Sequence, residues 1–188
     1  MQVVAGSARR IQLKTMPGDQ TRPTSNRIKE TLFNILQPYI PGCRFLDLYA
    51  GSGGIGIEAL SRGAERTVFV DHNRQACAVI RENLKRTHLE DKAELYMSDA
   101  AAAFKRLSLS EKPFDILFMD PPYDDKWEPL FWPLFSESPL IAPDTMIIIE
   151  TRINRSFPDA DAWGFKILRE KLYKNNKHVF IGRKGEEA

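Results

Sequence analysis

The feature that most constrains the fold of this chain is a regular alternation of short apolar runs with amphipathic stretches. Each apolar run has the length of a buried strand, and the stretches between them repeat apolar residues at helical intervals. This alternation predicts βαβ units, and therefore an α/β, Rossmann-like fold with a mostly parallel sheet and helices on both faces. The expected strands cover 44–48, 66–71, 93–97, 114–119 and 145–150, and the expected helices cover 55–62, 73–87, 100–107 and about 126–135. In the second helix the repeating positions are Ala76, Val79, Ile80, Asn83 and Leu84.

The two ends of the chain depart from this pattern. Residues 2–14 alternate weakly around a glycine, which predicts a small β-hairpin, and 24–37 predict an amphipathic helix. At the far end, 164–173 and 177–184 read as two strands of an antiparallel hairpin. We therefore expect one domain over 1–188, with a basic hairpin extension at 1–23 and a catalytic core at 24–184.

Charge is distributed unevenly along the 188 residues, although the net charge is only +2. Residues 1–30 carry a net +4 and residues 166–184 a net +6, so the rest of the chain is acidic at −8. Basic ends around an acidic middle suggest a polyanionic partner that touches the ends, whereas solvated basic faces are the simpler alternative.

A glycine-rich segment, Asp47-Leu-Tyr-Ala-Gly51-Ser-Gly53-Gly-Ile-Gly56, leaves the first expected strand of the alternation and enters a helix. Glycines at such a turn let the backbone approach a nucleotide closely, and Asp71, 20 residues beyond Gly51, suits the hydroxyls of a ribose. These features fit NAD and S-adenosylmethionine equally. Asp47 favours the second ligand, because a carboxylate suits a cation and repels a pyrophosphate. Asp99, before Ala100, offers a carboxylate to an adenine amino group or caps a helix.

The sequence Asp120-Pro121-Pro122-Tyr123 follows the strand expected at 114–119, at the sheet edge where open α/β folds bind ligands. The prolines fix the backbone and leave carbonyl oxygens as acceptors. Asp120 and the carbonyl of Pro121 can accept both hydrogens of a planar amino group, and Tyr123 can stack on the ring. This motif indicates methylation of an amino group and selects S-adenosylmethionine as the cofactor.

Together with the segment Arg22-Pro-Thr24-Ser-Asn-Arg27-Ile-Lys-Glu30-Thr-Leu-Phe33-Asn-Ile-Leu36, these motifs closely resemble the RsmD family. Members of this family are bacterial 16S ribosomal RNA guanine-N2 methyltransferases with the class I S-adenosylmethionine-dependent fold, and the resemblance runs from about residue 1 to 184. It implies methylation of one guanine in the rRNA of the small subunit or of its assembly intermediate. The glycine turn and Asp-Pro-Pro-Tyr are shared more widely, so the Arg22–Leu36 segment is the family-specific part.

The resemblance also implies residue roles. Asp47, Gly51 and Gly53 would hold the methionine moiety, Asp71 the ribose and Asp99 the adenine, while Asp120 to Tyr123 would hold the base. The basic hairpin would contact RNA. The full set of expected cofactor contacts is Arg22, Thr24, Asp47, Tyr49, Gly51, Ser52, Gly53, Asp71, Asp99 and Ala100, and the expected RNA contacts are Arg9, Arg10 and Lys14.

The remaining features exclude several other classes. The apolar runs are too short to span a bilayer, and the N-terminus lacks the layout of a signal peptide, so we expect a cytoplasmic protein without membrane contact. We also expect a monomer. No His, Cys and carboxylate grouping has the spacing of a metal site, and Cys43 and Cys77 look like reduced core residues. Trp127, Phe131 and Trp132 fit core packing better than base stacking.

Two alternatives stay open beside the rRNA enzyme. One is another amino-group methyltransferase, acting on adenine N6 of nucleic acid or on a protein glutamine. The other is a catalytically idle RNA-binding scaffold.

Overall fold

The computed structural model describes residues 1–16, 26–122 and 127–185, and it divides the chain into two compact units, Met1–Ala100 and Ala101–Ala188. The single-domain organisation expected from the sequence stays a prediction. Among the described residues, none of the helices has both the length and the apolar character needed to cross a membrane.

The first unit contains three parallel strands in the order β3-β2-β1. Leu48 at the end of β1 pairs with Val70, and Asp71 at the end of β2 pairs with Met97. The carboxyl ends of the three strands therefore lie along one edge. Its elements are α1 (Asn26–Leu36), β1 (Arg44–Leu48), α2 (Gly54–Ser61), β2 (Arg66–Asp71), α3 (Arg74–Thr87) and β3 (Ala93–Met97).

The second unit joins a parallel pair of strands to an antiparallel hairpin. Strands β4 and β5 are parallel, while β7 runs antiparallel to β5 on one side and to β6 on the other. Its elements are α4 (Ala100–Leu107), whose first residue closes the first unit, then β4 (Ile116–Met119), α5 (Glu128–Glu137), β5 (Met146–Arg152), β6 (Phe165–Leu172) and β7 (Asn176–Arg183). The predicted parallel strands and C-terminal hairpin are confirmed.

Several predicted boundaries differ from the structure by one or two residues, and two of these differences have a local reason. Strand β4 begins at Ile116 instead of 114, because the backbone of Phe114 is engaged outside the ladder: its N–H donates to Leu140 O, and its carbonyl accepts from Thr145 Oγ1. Helix α5 ends at Glu137, two residues beyond the predicted end at about 135, because the backbone becomes extended only at Ser138.

The described N-terminal segment, residues 1–16, forms the predicted hairpin as a single antiparallel bridge between Gln2 and Gln12, extended by backbone hydrogen bonds. It is fixed to α2. Glu58, fully buried, accepts hydrogen bonds from the N–H groups of Val4 at 2.8 Å and Ala5 at 3.0 Å, and it forms an ion pair at 3.0 Å with the equally buried Lys29. Burial lowers the pKa of Lys29, and Glu58 opposes that effect.

Gly6 makes this close contact possible. Its φ is +85°, and a Cβ at this position would lie 1.7 Å from the carbonyl oxygen of Ser61. Only glycine allows the hairpin to approach α2 this closely.

The aromatic residues around α5 form the core of the second unit. Trp127, Phe131 and Trp132 are at most 3% exposed and pack against Phe135 and Phe157, which confirms the core role predicted for them. Cys43 and Cys77 are both buried, which agrees with the core position predicted for them.

Candidate functional site

The glycine turn after β1 has an unusual backbone. Tyr49, Gly51 and Gly53 all have positive φ angles, of 65°, 56° and 78°. The turn is held at both ends, because Ala50 N–H donates to Val70 O at 2.9 Å and Gly53 N–H donates to Ala50 O at 2.7 Å. A left-handed tyrosine costs about 1–2 kcal/mol. Strain of this kind clusters at functional sites, so the turn is a candidate for ligand binding.

Asp71, at the end of β2, is drawn into this turn. Its Oδ2 accepts a 2.8 Å hydrogen bond from the N–H of Gly51, and its Oδ1 accepts one of the same length from Asn73. The side chain of Asp71 keeps 10% exposure, and each carboxylate oxygen retains acceptor capacity. Apart from Gly51 and its two chain neighbours, the described residues place no heavy atom within 4 Å of where a Cβ on Gly51 would stand. The turn thus leaves open space beside a carboxylate, which fits a ribose diol.

Asp47 lies beneath the turn instead of at its surface. It is 1% exposed, and its Oδ2 accepts a 2.9 Å hydrogen bond from the N–H of Gly56 in the first turn of α2. Burial, together with a smaller effect of the negative charge of Asp71, raises the pKa of Asp47 to about 7 against the opposing effect of this hydrogen bond. Asp47 therefore titrates near neutrality and would ionise more readily beside a cation.

Asn83 on α3 also holds the turn, and sequence reasoning missed this role. Its Nδ2 donates to the carbonyl oxygens of Ser52 at 2.9 Å and Lys14 at 3.0 Å, while its Oδ1 accepts from Lys14 N–H at 2.8 Å. Asn83 is fully buried. It ties the glycine turn to the N-terminal segment. The only hint in the sequence was that Asn83, a polar residue, occupies a position in the apolar stripe of α3.

The end of β3 continues the same edge. Ser98 N–H donates to Asp71 O at 3.0 Å, which brings the next two residues, Asp99 and Ala100, to the start of α4. Asp99 is exposed and Ala100 is buried at 6% exposure. The structure thus collects Asp47, Gly51, Gly53, Asp71 and Asp99 at one end of the strands of the first unit.

In the second unit, Asp120 follows β4 directly. Asp120 is half-buried, Pro121 is buried and Pro122 is exposed. Because Met119 pairs with Ile149, Asp120 is level with Glu150 on the neighbouring strand β5. The motif therefore lies at the carboxyl end of this parallel pair, as the sequence predicts.

Beside this motif lies a buried polar chain that sequence reasoning missed. Glu150 Oε2 is 3.1 Å from His178 Nε2, and His178 Nδ1 is 3.0 Å from the hydroxyl of Tyr173. Asn176 Nδ2 donates to the other oxygen of Glu150 at 2.6 Å. Burial, with Glu150 nearby, raises the pKa of Tyr173 to about 12. These contacts fix the β6–β7 hairpin against β5. The charged residue that ends the Ile147-Ile148-Ile149 run was the only local sign.

The basic ends are less free than the sequence suggests. Lys29 is buried against Glu58, and Lys177 is 5% exposed and pairs with Glu170 at 2.7 Å. Arg183 donates to carbonyl oxygens at the end of α5. Of the expected RNA contacts, Arg9 and Arg10 are exposed, and Lys14 forms an ion pair with Glu82 across the surface.

Three expected contacts, Arg22, Thr24 and Tyr123, lie outside the described residues. Within the described ranges, the structure brings together no group of three or more His, Cys, Asp or Glu residues that could hold a metal ion.

The chain is similar in sequence and in fold to known proteins. The family model described as "Conserved hypothetical protein 95" matches residues 1–182. Bacillus subtilis YlbH is 41% identical over 150 residues, which cover 80% of this chain and 82% of that protein. The Haemophilus influenzae protein named "Ribosomal RNA small subunit methyltransferase D" is 30% identical over 171 residues, 91% of this chain and 88% of that protein. Escherichia coli yhhF, a solved structure, superposes with a TM-score of 0.81 at 27% identity over 99% of both chains.

Proposed function

Because this chain belongs to the RsmD family, whose model is described as "Conserved hypothetical protein 95", and has the class I methyltransferase fold, we propose that it methylates the exocyclic N2 amino group of one guanine in 16S rRNA. The methyl donor is S-adenosylmethionine. The observation that carries the proposal is the joining of Gly51 to Asp71 beside open space at the ends of β1 and β2.

The first unit holds the cofactor. Asp71 accepts hydrogen bonds from the ribose hydroxyls through the acceptor capacity that Gly51 and Asn73 leave free. Gly51 offers its open face to the ligand, and Asp99 accepts from the adenine amino group. Asp47 lies under the turn and stabilises the cationic methionine end electrostatically, without direct exposure. Tyr49, Ser52, Gly53 and Ala100 complete the lining, with Arg22 and Thr24 ahead of α1.

The second unit holds the base. Asp120 and the carbonyl oxygen of Pro121 each accept one hydrogen bond from the guanine amino group, and Tyr123 stacks on the ring. These two hydrogen bonds draw the nitrogen lone pair out of conjugation with the ring, so that the nitrogen becomes nucleophilic. Pro121 and Pro122 keep the acceptors in place by fixing the backbone.

Bound S-adenosylmethionine supplies an electrophilic methyl group on a good leaving group. The chain contributes mainly alignment, which at its limit is worth about 7–11 kcal/mol. Asp120 accepts a proton as the amine becomes cationic, so that the methylated amine leaves neutral.

The partner is the small ribosomal subunit or its assembly intermediate. Arg9, Arg10 and Lys14, at the surface of the N-terminal segment, contact phosphates of the RNA. The enzyme acts as a monomer in the cytoplasm, where ribosomes are assembled.

The test is incorporation of labelled methyl from S-adenosylmethionine into small subunits from a strain that lacks this chain, with free 16S RNA and DNA alongside. We expect N2-methylguanosine after nucleoside digestion. N6-methyladenine, transfer only to protein, or no transfer to any substrate would overturn the proposal and favour one of the alternatives.

A further inference from the structure

A β-bulge in β6 places basic side chains on one face of this strand. Ile167 pairs with Ile181 and Arg169 pairs with Phe180, so Leu168 is an extra residue without its own partner. Residues that face each other across two strands share a side of the sheet. Lys166, Arg169 and Lys171 pair with Gly182, Phe180 and His178, which alternate along β7 and therefore share one face.

The bulged Leu168 joins these cations. Its Cδ1 is 3.0 Å from where a Cβ on Gly182 would stand, so it lies over the glycine on the same face, with half of its surface exposed. The acidic residue of the strand, Glu170, pairs with Val179 on the opposite face and is neutralised there by Lys177. This face, defined by Lys166, Leu168, Arg169 and Lys171, is the β6 basic face.

Among the residues that the structure describes, none of the three cations of the β6 basic face has a carboxylate partner. By contrast, Lys177 pairs with Glu170 and Lys184 with Asp161, while Arg183 donates to backbone carbonyl oxygens. The face is therefore a concentrated positive surface with one apolar side chain among its charges.

The β6 basic face is in line with the motif that holds the base. Asp120 is level with Glu150 on β5. Glu150 pairs with His178 on β7, and His178 pairs with Lys171 on β6, so the four residues form a row across the strands. Asp120 and Lys171, at the two ends of this row, are three strand spacings apart, or about 14 Å. The buried Glu150–His178–Tyr173 chain fixes the intervening strands, so the distance is set by the fold.

We propose that the β6 basic face binds the phosphates of the RNA strand that flanks the target nucleotide, with Leu168 against a sugar. The inference rests on the proposed function and assigns a second RNA contact, distinct from the N-terminal segment. Two exposed cations, Lys166 and Arg169, and the half-buried Lys171 lie beside an apolar side chain. This combination suits a single strand, whose phosphates and sugars are both accessible. The row that leads to Asp120 favours RNA over a membrane or an acidic protein as the partner.

The test is a triple variant, Lys166→Gln with Arg169→Gln and Lys171→Gln. Its matched control is Lys85→Gln with Lys105→Gln and Lys112→Gln, which removes the same charge from exposed positions elsewhere. Affinity for small-subunit RNA is measured over a series of salt concentrations. We expect the slope of log affinity against log salt to fall by about 2 in the first variant, at about 0.7 per lost phosphate contact, and much less in the control.

Two further measurements make the result decisive. S-adenosylmethionine affinity should be unchanged in the triple variant, and a conservative set that exchanges Lys and Arg should keep the wild-type slope. If the triple variant fails to fold, each single Gln variant should lower the slope by about 0.7. Equal slopes for variant and control, while the wild type still methylates RNA, would overturn the inference and leave the proposed function standing. Failure of the wild type to methylate RNA would overturn both.

Discussion

The backbone N–H of Gly51 donates a 2.8 Å hydrogen bond to Oδ2 of Asp71, and this single contact joins the ends of two parallel strands. It also orients the carboxylate. Since the space beside Gly51 is open, the same contact prepares the carboxylate for a ligand instead of using up its acceptors.

The variant Gly51→Ala tests whether the open space beside Gly51 holds the cofactor. A left-handed φ of +56° costs an alanine about 1–2 kcal/mol, but the residues that the structure describes leave room for its Cβ, so we expect a folded protein with a modestly lowered melting temperature. The Cβ would occupy the space assigned to the cofactor, and we expect S-adenosylmethionine affinity to fall at least tenfold by calorimetry. Gly56→Ala is the contrast, because its Cβ would lie 2.3 Å from the ring of Phe69 and should destabilise the fold itself. Unchanged cofactor affinity in Gly51→Ala would remove the turn from the binding site.

Asp47 should make stability depend on pH. Its pKa is about 7 in the folded protein and 3.8 as the ordinary value, so the folded state holds the proton more tightly. The stability that this provides is complete below pH 4 and is lost as the pH rises through 7. Asp47→Asn cannot ionise, and relative to wild type it should gain roughly 4 kcal/mol between pH 4 and pH 8 in urea unfolding. A difference that does not vary with pH would mean that Asp47 stays ionised in the fold.

Asp120→Ala should separate chemistry from cofactor binding. Loss of the carboxylate removes an acceptor from the amino group, and we expect methyl transfer to fall at least a hundredfold while S-adenosylmethionine affinity stays within twofold of wild type. Asp144→Ala, at an exposed position of the same unit, serves as the control in the labelled-methyl assay. A parallel loss of cofactor binding in Asp120→Ala would refute this division of roles.

Asn83→Ala should weaken both the glycine turn and the N-terminal segment. The substitution leaves two carbonyls and one N–H without their buried partner, at about 1–3 kcal/mol each where water cannot replace it. We expect a lowered melting temperature together with losses of cofactor and RNA affinity, whereas Asn154→Ala, on an exposed loop, should change neither. If only the melting temperature changes, Asn83 has a structural role alone.

Arg9→Ala with Arg10→Ala should weaken RNA binding through electrostatics. Each lost phosphate contact lowers the salt slope by about 0.7–0.9, so the pair should lower it by about 1.5. Lys105→Ala with Lys112→Ala provides the charge-matched control. An unchanged slope would show that the hairpin faces solvent without touching RNA.

The parts of the fold and of the candidate site that the sequence predicts are those whose motifs are local, formed by residues close together in the chain. The glycine turn and the Asp-Pro-Pro motif are short segments between a strand and a helix, so their residue order already fixes where they lie. Asp71 could be placed because parallel strands end at a common edge.

Glu58, Asn83 and Glu150 could not be placed in the same way. Each is a polar residue within an apolar stretch and has partners at least 26 residues away, although Glu58 also pairs with the nearby Arg62. The periodicity shows that such residues will be buried, but it does not identify the group that satisfies them. The net charge of the two ends overstates their free positive charge for the same reason. Lys29 and Lys177 are buried in ion pairs with carboxylates that the fold brings near them.

The packing of the N-terminal segment against α2 also has a consequence for folding during synthesis. Val4 and Ala5 bind a carboxylate 54 and 53 positions further along, and Gly6 lies against Ser61. Residues 4–6 therefore have no surface to pack against until α2 has been synthesised and folded. A nascent chain that stalls before residue 61 would leave this segment unpacked and open to proteases.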